Sequence, residues 1–101
     1  MALASKIYIS TSSLGDATKC SSQVDELYKE LDSKLKAGRI AGYRCRTFTD
    51  LSALGDEDVT PEAVIKATGG VFPCVWTNIT WDGSEPSDIA AIEAKFSLKS
   101  F

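Results

Sequence analysis

The sequence predicts an α/β domain: a four-stranded mixed sheet flanked by helices on both faces, in the order β-α-β-α-β-β-α. Three observations predict it. Short runs rich in β-branched and aromatic residues begin at Lys6, Tyr43, Val71 and Ile79. Between and after them lie segments whose apolar residues recur at steps of three and four. The whole chain has 101 residues, 44% apolar and 25% charged, which suits one domain around one core, 1–101.

Each element has its own warrant. Lys6-Ile7-Tyr8-Ile9-Ser10 reads as a strand. Ser10 to Asp16 is turn-forming and cap-forming material. A helix to about Lys36 then aligns Ala17, Cys20, Val24, Leu27, Tyr28, Leu31 and Leu35 on one stripe, with Gly38 as its stop. Tyr43 to Thr49 alternates Arg44 and Arg46 with Tyr43, Cys45 and Thr47, the pattern of an edge strand guarded by charge. A short helical turn is expected at Leu51 to Leu54, and a solvated acidic loop at Asp56-Glu57-Asp58. Thr60 and Pro61 mark a helix start, as N-cap and first helical residue; the helix buries Val64 and Ile65 and stops at Gly69-Gly70.

Val71 to Trp76 and Ile79 to Trp81 are expected to pair as a hairpin about Thr77-Asn78, with one of Trp76 and Trp81 in the core. Pro73 cannot donate to a ladder and belongs at a strand start or in a special loop. Ser87 or Asp88 is expected to cap a last helix, Ile89 to Phe96. The helical crossover after the first strand implies a parallel pair; the hairpin supplies the antiparallel ones.

Composition narrows the function classes. Eleven Lys and Arg against 14 Asp and Glu leave a charge of −3, which argues against nucleic acid or anionic lipid as partner. No apolar run approaches a membrane span. The start, Met1 to Lys6, does not read as a signal peptide, so a cytoplasmic location is expected, and Asn78-Ile79-Thr80 is then an accidental glycosylation match. With no His, the histidine triads and histidine metal sites are excluded. Cys20, Cys45 and Cys74 form no CxxC, no disulfide framework and no zinc set.

The element order, with Pro73 opening a strand, resembles the thioredoxin fold in its small glutaredoxin form. Within it the chain is similar to the SH3-binding glutamic-acid-rich proteins, which are glutaredoxin-like without redox cysteines. Three segments carry the resemblance: Ile7 to Ser13, Phe72-Pro73-Cys74-Val75-Trp76, and Trp81-Asp82-Gly83-Ser84 followed by Ser87-Asp88. It implies a cis Phe72–Pro73 bond beside the start of the first helix. It also implies a binding surface drawn from Ser12, Ser13, Leu14, Phe72, Pro73, Ser87 and Asp88. Where the resembled fold carries CxxC, this chain has only Cys20, late in the segment, and Glu85-Pro86 stand as an insertion in the turn that would meet glutathione.

Two functions follow. One is a non-catalytic adaptor that binds a protein partner without a cofactor. The other is a monothiol, glutathione-dependent oxidoreductase in which Cys20 is the nucleophile, activated at a helix start. Against the second, Cys20 lies on a continuous apolar stripe, Ala17-Cys20-Val24-Leu27, which favours its reading as a buried core residue. Cys74, next to Pro73, could approach Cys20 but suits a small apolar strand position, and Cys45 reads as inert.

Overall fold

The computed structural model describes residues 3–49 and 61–100. The expected turn at Leu51 to Leu54, the acidic loop at 56–58 and the Thr60 cap lie outside them. Four strands, β1 (Leu3–Ser10), β2 (Gly42–Phe48), β3 (Cys74–Asp82) and β4 (Leu98–Ser100), form one sheet in the order β2-β3-β1-β4. Among the described residues three helices, α1 (Ala17–Lys36), α2 (Pro61–Thr68) and α3 (Ser87–Phe96), join the sheet in an α/β fold. None of the described helices is long and apolar enough to cross a membrane.

The sheet corrects two expectations. Every neighbouring pair of strands is antiparallel, so the sheet is not mixed. β1 and β2 do run the same way, as the crossover requires, but β3 lies between them. The expected hairpin is also absent: residues 74–82 form one strand, and β4 follows α3, giving β-α-β-α-β-α-β. A two-residue hairpin turn needs left-handed backbone at its centre, which Asn accepts and β-branched Thr does not. Thr77 is instead fully buried in mid-strand, facing Tyr8 on β1 and Cys45 on β2. β2 is an edge strand, as its arginines suggest.

Strand alternation builds a core on each face of the sheet. Tyr8, Cys45, Val75, Ile79 and Trp81 pack with Cys20, Leu27 and Leu31 of α1 and Ile89, Ile92 and Phe96 of α3. Ile9, Phe48, Cys74 and Trp76 pack with Val64 of α2. Trp76 and Trp81, five apart in one strand, point to opposite faces, and both are buried. The first helix stops as expected, with Gly38 at φ +74° just beyond it.

Candidate functional site

The loop after β1 is held against the start of β3. Asp16 caps α1, its carboxylate accepting from Lys19 N at 3.0 Å. One residue earlier, Gly15 N–H donates to the Pro73 carbonyl at 2.9 Å. Gly15 has φ +76°, and a Cβ there would meet Val71 Cγ1 at 3.1 Å, so both backbone and space favour glycine. Phe72–Pro73 is cis. Leu14 and Phe72 pack together on the α2-side core. Thus Leu14, Phe72 and Pro73 do come together.

Ser12 and Ser13 turn elsewhere. Gln23, buried on α1, gathers a polar knot: its Oε1 accepts from Ser10 Oγ and from Ser13 Oγ (2.7 Å), and its Nε2 donates to Phe96 O (3.0 Å) and Ser12 Oγ (3.1 Å). The knot ties β1, α1 and the end of α3. Ser12 and Ser13 line an open cleft with Thr18, Lys19, Glu26 and Lys95, on a different side of α1 from Pro73. The sequence reading missed Gln23. Its signal was present: it lies three residues after Cys20 and four before Leu27, on the inward face where every neighbour is apolar.

A second cleft, of about 450 Å³, opens beside Pro73. Ala17, Ser21, Val24 and Asp25 of α1 form one wall, and Thr47 and Thr49 at the end of β2 form the other. No cysteine lines it. Cys20 is fully buried, and its Sγ donates to Ser13 O at 3.1 Å. Burial pushes the Cys74 thiol up to about 11, with Cys20 a lesser contributor. Burial likewise raises Cys45 to about 11, despite the lowering contact with Thr77. Among the described residues no cluster of three or more His, Cys, Asp or Glu could hold a metal ion.

Ser87 and Asp88 do not join the Pro73 loop. They follow the far end of β3, roughly 27 Å of strand away. Without the hairpin the chain never returns to the Pro73 end before entering α3. Nor does either side chain cap α3: Pro86 occupies the cap position, with no side-chain hydrogen bond. Asp88 instead meets Arg39 Nη2 at 2.8 Å and Lys34 Nζ at 3.3 Å, which fastens α3 to the end of α1. The Arg39 hydrogen bond, aided by Lys34, holds its carboxyl below the ordinary range.

No family model, curated protein or solved structure matches the chain. The site therefore stands on its own geometry: an open cleft floored by short side chains and a proline, with hydroxyls at its rim and no accessible thiol. Such a surface can seat a peptide.

Proposed function

We propose that the chain is a non-catalytic protein-binding domain that seats an extended segment of a partner protein in the cleft between α1, the end of β2 and Pro73. The observation that carries this reading is the burial of Cys20. A monothiol enzyme needs its sulfur at the surface, and this thiol is fully enclosed, with its proton directed to Ser13 O. Ala17, Ser21, Val24 and Pro73 give the cleft a mostly apolar lining, of the kind that side chains of a peptide fill. The resemblance to glutaredoxins bears on this reading through the Pro73 loop alone, where Gly15 N–H meets the Pro73 carbonyl; Ser12, Ser13, Ser87 and Asp88 drop out of the binding set.

The test is selection of peptides from a random library, followed by amide-shift mapping and two variants. Ser21 is exposed in the cleft, so Ser21→Arg should block binding and leave the thermal melt unchanged. Cys20→Ala should keep binding at some cost in stability. Glutathione-dependent disulfide exchange by the native chain, abolished by Cys20→Ala, would replace this reading with the monothiol enzyme.

A further inference from the structure

We propose that the cleft beside Pro73 selects a partner segment that carries a basic residue, and that Asp25 is the group that reads it. The proposal rests on the protein-binding reading and names the chemistry of the segment. Asp25 is the one ionisable side chain among the described residues that line the cleft. It is exposed, and no ion pair or hydrogen bond within the described residues holds its carboxylate. Lys29 stands one turn further along α1, at the spacing at which Asp32 and Lys36 pair at 2.9 Å, yet it leaves Asp25 open. A carboxylate at the rim of an otherwise neutral cleft sets the sign of what enters: a cation is attracted and an acid repelled.

The cleft also has a length. Gly15 N–H bonds the Pro73 carbonyl, which sets Pro73 beside the start of α1 and so near Ala17. Towards the other end Tyr28 reaches from α1 to β2, its hydroxyl donating to the Cys45 carbonyl at 2.9 Å and its ring edge-on to Tyr43. That bridge joins the two walls one turn beyond Val24. Between these ends Val24 is half-buried and packs on the core, so it lies deep, while Asp25 stands at the rim. Ala17 and Asp25 are eight residues apart in α1, about 12 Å along the helix axis.

An extended segment advances about 3.3 Å per residue and turns every second side chain to the same face. Two of its residues that both face α1 across about 12 Å are therefore four positions apart. The one near Pro73 and Ala17 is apolar. The one near Asp25 is Lys or Arg. Ser21 on α1 and Thr47 on the facing wall offer hydroxyls to the backbone between them. Acidic segments are turned away, and the chain's own net charge of −3 acts in the same sense.

The probes are two capped peptides of about nine residues, Gly and Ser throughout except for Val and Lys four positions apart, in the two possible orders. Titrated into the isotope-labelled chain, the tighter of them should shift the amides of Ala17, Ser21, Asp25 and Thr47. With Glu in place of Lys it should bind about tenfold more weakly. That gap should close in about 1 M salt, which screens an exposed pair. Asp25→Asn should lower the affinity for the Lys peptide about threefold and leave the thermal melt unchanged, and Asp25→Lys should reverse the preference. Failure of both Lys peptides to bind overturns the proposal, as does equal affinity for Lys and Glu or a preference that survives Asp25→Asn. Library-selected peptides that shift the cleft amides but carry no excess of Lys or Arg also overturn it, yet leave the cleft reading standing. Absence of any peptide that binds in the cleft overturns both.

Discussion

Cys20, Cys45 and Cys74 are all buried, yet they sit in different chemical situations. Cys20 donates a hydrogen bond to the Ser13 carbonyl, while burial holds Cys45 and Cys74 protonated up to about pH 11. In the folded chain none of the three should react with a bulky disulfide reagent at pH 8, and all three should react in denaturant; fast reaction of Cys20 in the native chain would contradict its burial. The raised values also bear on stability. An unfolded thiol ionises near pH 8.5, so the unfolded state releases its protons first as pH rises. The contribution is complete below that pH and is lost between about 8.5 and 11, with a slope of at most ~1.4 kcal/mol per pH unit for each thiol. Tyr8, raised by burial, acts in the same direction. Urea melts from pH 7 to 11 should show the fall, and Cys45→Ala should make it shallower. Gln23 offers the other residue-scale test. Gln23→Ala strips partners from Ser10 and Ser13 and from the Phe96 carbonyl, and should cost about 1–3 kcal/mol in a urea melt. Ser22→Ala, one residue away on the exposed face, should stay within about 0.5 kcal/mol.

At the scale of elements, β3 decides the architecture. As one nine-residue strand it receives both β1 and β2, and it delivers the chain to α3 at the far end of the sheet. The two possible structures of this segment predict opposite signs for one substitution. In a hairpin, Asn78→Gly would supply the turn and stabilise. In a central strand it removes side-chain packing and adds backbone freedom, and should cost about 0.5–1 kcal/mol. The structure requires the destabilising outcome, readable in a thermal melt. The same strand explains why Asn78-Ile79-Thr80 is unsuited to glycosylation: Asn78 pairs with Ile7 on one side and Arg44 on the other.

For the whole molecule, the two cores share one sheet but are unequal. Among the described residues, the α1 and α3 side buries twelve in its core and the α2 side five. Within α2, Val64 and Thr68 are buried while Ile65 is 41% exposed, which corrects the expectation that both Val64 and Ile65 are core. An element with so little burial should open before the sheet does. Native-state hydrogen exchange should therefore show α2 amides exchanging through partial openings, and central β3 amides only through global unfolding. Equal protection in the two would mean that the α2 face is held by more than its visible core. Leu27→Ala, on the larger side, should cost about 2–5 kcal/mol.

What the sequence determined by itself is local. The span of α1 follows from the spacing of Cys20, Leu27 and Leu31, and its end from Gly38. The edge position of β2 follows from Arg44 and Arg46, and the strand start after Pro73 from the missing N–H. These depend on backbone preferences and on periodicity within a few residues. Only the tertiary structure decided which strands adjoin, because pairing is a contest among long-range alternatives with similar local propensity. Thr77-Asn78 carries no strong turn signal, and burial of Thr77 between Tyr8 and Cys45 carried the strand through. That one outcome separated Ser87 and Asp88 from Pro73 and split the expected site. It likewise took the folded chain to turn Ser12 and Ser13 toward Gln23, and to bring the Tyr28 hydroxyl to the edge at Cys45. Hydrogen-bond partners so distant along the chain leave no periodic trace in it.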